Sequence, residues 1–296
     1  MSDIPWQQLS AAERAREYSP SSCIGGNYQP FVEAYRARSA EAHAAALALG
    51  ARWIEGHYGT APSQRLDLYL PPAMQRGAAP CPLLVFIHGG YWQELSARDS
   101  RFAAARCVER GIAFAAVDYT LAPAARVPQI VDECRAAFVD LARAAPGLGI
   151  DPALVVVAGS SAGAHLAAMI GVEGALPGGV APPHALVLVS GIYLLEPLIG
   201  TPIDDALGLQ AGEARVLSPL RLPLRGFPRS AVCWGEVETA QFKAQSRAFD
   251  DALRAAGAAT QRFEVPGRNH FDVILDLAEP GTTLGNATLQ LFDNRA

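Results

Sequence analysis

Five short runs of continuous apolar residues dominate the chain and narrow what it can fold into: PLLVFI (82–87), IAFAAV (112–117), ALVVVA (153–158), ALVLVS (185–190) and SAVCW (230–234). A run of this length with no polar alternation marks a strand buried on both faces. Helical patterns lie between the runs. After Pro128, which suits a first helical turn, Ile130, Cys134, Phe138 and Leu141 recur at helical spacing. Residues 161–171 and 240–256 read as helices as well. So does 29–49, with Phe31, Ala34, Tyr35, Ala42, Ala45 and Leu49 on one stripe that Arg38 interrupts. Strands alternating with helices imply βαβ units and a mostly parallel sheet with helices on both faces. RLDLYL (65–70) departs from this pattern; its alternation predicts a strand with one wet face. The Pro-, Gly- and Leu-rich stretch 191–227 breaks the rhythm and reads as a small cap or lid. The expectation is a single α/β domain over 1–296, with about 15–50 and 191–227 as cap elements.

With 296 residues the chain can bury a sizeable core, and 50% hydrophobic against 18% charged residues is the balance of a globular protein. A formal charge of −5, with basic residues scattered singly, offers nucleic acid or anionic membrane no electrostatic handle. The opening MSDIPWQQLSAAERAREYSP is polar where a secretory signal needs an apolar core, and no apolar run reaches the ~20 residues of a membrane span. The 5 cysteines are odd in number and widely spaced, without a CxxC pair, which argues against a disulfide framework and a zinc site. A reduced, cytoplasmic protein is the simplest reading. Nothing in the sequence reports on homo-oligomer formation.

In a parallel sheet of this kind ligands sit beyond the carboxyl ends of the strands, so chemistry is sought just after each buried run. Gly159-Ser160-Ser161-Ala162-Gly163 follows ALVVVA and precedes a helix. A G-x-S-x-G sequence there makes a sharp turn that exposes the central serine, here Ser161, at a helix N-terminus that favours developing negative charge. The register makes Ser160 the decoy. His88-Gly89-Gly90-Tyr91-Trp92 follows PLLVFI. In the α/β-hydrolase fold this loop and the amide after the nucleophile form the oxyanion hole, so Gly90, Tyr91 and Ala162 are the expected donors, with Gly89 next.

A serine hydroxyl needs a base, and the base needs an orienting acid. Chain order in this fold is serine, acid, histidine. His43, His57 and His88 precede the elbow, His165 lies inside the following helix and His184 falls before a strand. His270, in the loop after TQRFEV, is left as the base. The acid should follow SAVCW, where Glu236 and Glu238 both stand; Glu238 is favoured because it lies close to the helix start.

HGGYW, the elbow with its following AHLAA, YTLAPAARVPQIVDE (119–133), SGIYLLEPL (190–198) and GRNHFDVILDL (267–277) together resemble the arylformamidases, the kynurenine formamidases of tryptophan breakdown. The resemblance runs from about residue 15 to the C-terminus. It implies an α/β-hydrolase fold, a triad of Ser161, an acid and His270, and no metal or organic cofactor. ETAQFKAQS (238–246) resembles the family stretch with the acid at its first position, which again favours Glu238. The chain departs from the family in reading GSSAG where GHSAG is common, and in Leu194 where an aspartate is frequent. The implied reaction is hydrolysis of a small N-acyl substrate of the formamide type, N-formylkynurenine to kynurenine and formate. The competing readings are a carboxylesterase or amidase on other small acyl or aryl esters, and a non-catalytic binding protein on the same fold. Trp92, Tyr193 and Leu194 are the expected substrate contacts.

Overall fold

The computed structural model describes residues 5–72 and 79–293, and each of the five apolar runs forms a strand, with Ile112 and Ser190 one residue outside theirs. In chain order the strands are β1 (Arg52–His57), β2 (Arg65–Leu70), β3 (Cys81–Ile87), β4 (Ala113–Val117), β5 (Ile150–Ser160), β6 (Ala185–Val189), β7 (Arg229–Val237) and β8 (Thr260–Asn269). They form one sheet in the order β1-β2-β4-β3-β5-β6-β7-β8. β2 pairs antiparallel with both β1 and β4, and every other pairing is parallel. The helices are α1 (Ala11–Glu17), α2 (Gln29–Ala48), α3 (Ala104–Glu109), α4 (Val127–Ala144), α5 (Ala162–Gly171), the short α6 (Asp204–Leu207) and α7 (Ala211–Val216), α8 (Ala240–Ala255) and α9 (Thr283–Asp293).

The unbroken apolar runs are explained by two cores, one on each face of the sheet. Leu83, Val85 and Ile87 of β3 pack with α4, α5 and α8, whereas Leu84 and Phe86 of the same strand pack with α2, α3 and α9. Successive side chains of a strand point to opposite faces, so a strand covered on both sides has no position left for a polar residue. The 191–227 stretch carries α6 and α7, and its Tyr193, Leu195, Leu198, Leu207 and Leu217 join the first of these cores. No described helix is long and apolar enough to cross a membrane.

Two local readings of the sequence need correction, and one strand escapes the sequence pattern. β2 has no wet face, because its Asp67 is buried. The Asp67 carboxylate accepts from Arg101 Nε and Nη2 at 2.7 and 2.6 Å and from Trp53 Nε1 at 2.9 Å. Two residues on, the Tyr69 hydroxyl lies 2.7 Å from Nδ1 of His43 on α2, the helix that covers this face. A buried carboxylate matched by a guanidinium thus passes for a solvated one in the pattern. In α2 itself the inward stripe is Val32, Tyr35, Ser39, Ala42 and Ala46, with Arg38 turned to solvent. The hydroxyl of Ser39 accepts from the Arg101 amide at 3.0 Å, which lets a polar residue occupy a core position. Lastly, β1 gives no hydrophobic signal since none of its side chains is buried; it exists through backbone pairing with β2.

Candidate active site

β5 ends at Ser160, and the chain reverses into α5 within one residue. Ser161 adopts φ 56 and ψ −120, a sparsely populated backbone state for a side-chain-bearing residue, and its amide donates to Val189 O at 2.8 Å. The two glycines of the motif make the reversal sterically feasible. A Cβ at Gly159 would lie 2.2 Å from Gly163 O, and one at Gly163 would lie 2.0 Å from Ile87 O. Ala162 is the first residue of α5, so its amide has no acceptor within the helix.

His270 directly follows β8, with Nδ1 3.0 Å from Glu238 Oε2. Glu238 directly follows β7, and its other oxygen accepts from Ser190 Oγ and from the Gly235 amide, each at 2.6 Å. Both side chains are buried. A buried carboxylate facing Nδ1 holds the proton on that nitrogen and leaves Nε2 as the basic atom of the ring. Phe242 and Phe271 meet the imidazole edge-on at 4.5 and 5.4 Å and fix its plane. Glu236, the other carboxylate of this loop, is exposed and accepts from the Gly267 amide at 2.7 Å. The structure therefore brings Glu238, not Glu236, to His270.

The loop after β3 is pressed against the elbow. A Cβ at Gly89 would lie 2.7 Å from Ser160 O and 3.2 Å from Ser161 Cβ, a closeness that only glycine permits. The backbone then runs through positive φ at Gly90 (88), Tyr91 (51) and Trp92 (61). Gly90 and Tyr91 lie outside helix and strand, so their amides are not committed to a ladder. Several side chains clamp this turn. The Tyr119 hydroxyl donates to the carbonyls of His88 and Gly89 at 3.1 Å each, and the His88 ring stacks on Tyr119 at 4.2 Å. Tyr91 donates through its hydroxyl to the carbonyl of Tyr18, tying the loop to the N-terminal segment. Asp118 lies beneath, 3.5 Å from His88 Nε2 and 3.1 Å from Arg65. Burial by itself would raise this carboxyl, but the contacts with His88 and Arg65 outweigh it and hold the group below its ordinary value.

Ser161, His270, Gly89, Gly90 and Tyr91 border one cavity of about 310 Å³. Its apolar walls come from Tyr28, Tyr35, Phe86, Phe102 and Phe271, with Pro202 and Ile203 from the 191–227 stretch. Trp92, Tyr193 and Leu194 do not line it, and the expectation that they do is corrected here. Trp92 is fully buried with its ring edge-to-face against His165 at 5.1 Å, and Tyr193 stacks on Phe249 at 4.1 Å. Leu194 is held by its backbone, with its amide and carbonyl both bonded to Gln245. Sequence reasoning missed the true walls. Phe271 could have been found as the neighbour of the base, but Tyr28 and Tyr35 reach the cavity only because α2 crosses the sheet. Ser190, the donor to Glu238, stands at the end of an apolar run that reads as core.

Comparison with known proteins bears on the family and the fold. The BD-FAE family model matches residues 66–178. Kynurenine formamidase of Danio rerio is 31% identical, with 99% of each chain covered, and that of Salmo salar is 29% identical, covering 97% of this chain and 98% of the relative. Esterase LipC of Mycobacterium tuberculosis is 27% identical over 76% of this chain. Among solved structures, a protein of Silicibacter sp. tm1040 assigned as a thioesterase superposes with a TM-score of 0.78 at 27% identity, covering 92% of this chain and 97% of its own. An esterase of Pyrobaculum calidifontis superposes with a TM-score of 0.70 over 90% of this chain and 93% of its own, at 20% identity, and so speaks to the fold. These relatives are hydrolases, and the sheet with helices on both faces is the α/β-hydrolase fold. On the strength of an alignment that runs nearly end to end, the chain belongs to the kynurenine formamidase family.

Proposed function

We propose that the chain is a serine hydrolase that cleaves a small N-acyl substrate of the formamide type through Ser161, Glu238 and His270, with N-formylkynurenine as the leading substrate. The observation that carries this reading is the Glu238–His270 contact at 3.0 Å on the border of the same cavity as Ser161. The aromatic-lined volume suits a single aryl group. Family membership supports a formamide substrate.

In this mechanism His270 Nε2 takes the proton of Ser161 Oγ as that oxygen attacks the acyl carbon. The carbonyl oxygen becomes an oxyanion held by the amides of Gly90, Tyr91 and Ala162, with Gly89 next to them. Loss of one such donor typically costs about 100- to 1000-fold in rate. The C–N bond then breaks as His270 returns the proton to the departing arylamine, leaving an ester on Ser161. Water attacks that ester with His270 again as base; the acid leaves as formate and the serine recovers its proton. Glu238 keeps Nδ1 protonated and stabilises the imidazolium formed in each half-reaction. The segments 15–50 and 191–227 act as cap elements of a single α/β domain, enclosing the aryl group.

A second reading is a carboxylesterase acting on small acyl or aryl esters, favoured by the relatives and structural neighbours named as esterases. Turnover of N-formylkynurenine beside p-nitrophenyl acetate separates the two. Efficient release of kynurenine supports the formamidase reading, and brisk ester cleavage with negligible kynurenine rejects it. Fluorophosphonate labelling that survives Ser160→Ala and vanishes in Ser161→Ala tests the nucleophile; the reverse pattern overturns its assignment.

A further inference from the structure

We propose that the mouth of this cavity selects substrates whose leaving part carries an ammonium group, and that the carboxylate of Glu94 reads it; the proposal rests on Ser161 and His270 being the reacting pair. Histidines aside, Glu94 is the one charged residue among the described residues that line the cavity, and no arginine or lysine joins it. Apart from the two histidines, the described wall therefore presents one negative charge and no positive charge to a bound molecule.

The surroundings of Glu94 suit a cation. The Tyr28 hydroxyl donates to its Oε1 at 2.8 Å, which orients the carboxylate. The contact with Glu94 first, then burial, pushes that phenol up, so it stays a donor through neutral pH. The Tyr28 ring stacks on Phe271 at 5.7 Å with 9° between the planes, and both rings border the cavity. The full charge of the carboxylate attracts an ammonium, and the aromatic rings beside it give the attached apolar arm a wall to pack on. An anionic group in the same place meets like charge with no arginine or lysine on the wall to offset it.

Glu94 is also in register with the reaction centre. The Glu94 amide donates to Gly90 O at 3.0 Å and the Gln93 amide to the same carbonyl at 2.8 Å. One tight turn therefore carries both Glu94 and the amides expected to hold the oxyanion. An ammonium seated on Glu94 fixes the leaving part while its acyl carbon lies at Ser161.

Three phenylboronic acids that differ at one meta position test the idea as inhibitors of p-nitrophenyl acetate hydrolysis: aminomethyl, methyl and carboxyl. The boron atom takes the Ser161 oxygen, so all three share one anchor. The aminomethyl compound is expected to inhibit about three- to tenfold more tightly than the methyl compound, and the carboxyl compound less tightly than either, since Glu94 is exposed and partly screened. In Glu94→Gln, which keeps an acceptor for Tyr28, the aminomethyl-to-methyl ratio should fall close to one. The wild-type ratio should shrink in high salt, as an ion pair does and a packing contact does not. Equal inhibition by all three compounds, or a ratio that Glu94→Gln and salt leave intact, overturns the proposal. Failure of all three to bind, together with absent fluorophosphonate labelling of Ser161, removes the active-site reading and this proposal with it.

Discussion

Glutamine at position 238 would keep the shape of the native side chain and remove its charge, and the surroundings dictate how the amide must sit. Oε1 of Glu238 accepts from the Gly235 backbone amide and from Ser190 Oγ, each at 2.6 Å. A backbone N–H can only donate, so the carbonyl oxygen of the glutamine must take that place. Its NH2 then faces His270 Nδ1, which lies 3.0 Å from Oε2 in the native protein. Nδ1 is forced to accept, the ring proton moves to Nε2, and the atom that should receive the Ser161 proton is already protonated. Where the analogous change has been made in a serine protease triad, kcat falls about 10,000-fold. At about 1.36 kcal/mol per tenfold this corresponds to about 5 kcal/mol of lost transition-state stabilisation. Glu238→Asp keeps the charge and the tautomer but sits too short, so a loss nearer to about 100-fold is expected, as for a misplacement of about 1 Å. The assay is steady-state p-nitrophenol release, with circular dichroism to establish that each variant is folded. Glu238→Gln retaining more than about a tenth of native kcat, where a wrong tautomer should leave almost none, refutes the reasoning. So does an equal loss in Glu236→Gln, because the Glu236 carboxylate accepts from the Gly267 amide, and Lys243 Nζ donates to the backbone carbonyl of Glu236, which the substitution keeps.

Further outcomes follow from neighbouring contacts. Ser190→Ala removes one donor from the buried Glu238 carboxylate; at about 1.5 kcal/mol for a hydrogen bond to a charged group, kcat should fall about tenfold with KM nearly constant, and an unchanged kcat would mean the Gly235 amide holds the acid alone. Gly163→Ala drives a methyl to 2.0 Å from Ile87 O, and overpacking of about 2–3 kcal/mol should lower the calorimetric Tm by several degrees; an unaltered Tm contradicts the packing account. Burial holds the imidazole of His165 down to about 4, with Nε2 donating to Leu217 O at 2.8 Å. The unfolded chain binds this proton near pH 6.5 and the folded chain only near 4, so stability is lost as pH falls through that window, by about 3 kcal/mol at most. Urea titrations at pH 7 and pH 4.5 should show a smaller fall in His165→Gln than in the native protein; equal falls would show that other groups govern acid sensitivity.

Much of the framework was legible before any tertiary contact was known, and the reason is local. A strand covered on both faces must be apolar throughout, so PLLVFI and ALVVVA announce β3 and β5, and the turn residues behind them announce the elbow and the loop after His88. Ser161 and His270 could be singled out because chain order in this fold leaves few alternatives. Where a polar residue was misread, it is matched by a distant partner. Asp67 looks solvated until Arg101 is brought to it, and Ser39 looks like a surface residue until it caps the Arg101 amide.

Two residues separate Glu236 from Glu238, and composition treats them alike. Strand pairing decides between them, because β7 continues through Val237 and delivers only the next side chain to His270. The cavity walls are likewise a product of packing. Tyr28 and Tyr35 reach a serine more than a hundred positions away because α2 lies across the sheet, while Tyr193, near in sequence to the cap, turns inward onto Phe249. Sequence periodicity reports which face of an element is apolar, and so it determined the buried strands and the main helices, while the motif behind β5 singled out Ser161 as the candidate nucleophile. It carries no record of which apolar face ends up bordering empty space, since that depends on how elements distant in the chain meet, and only the tertiary structure decided it.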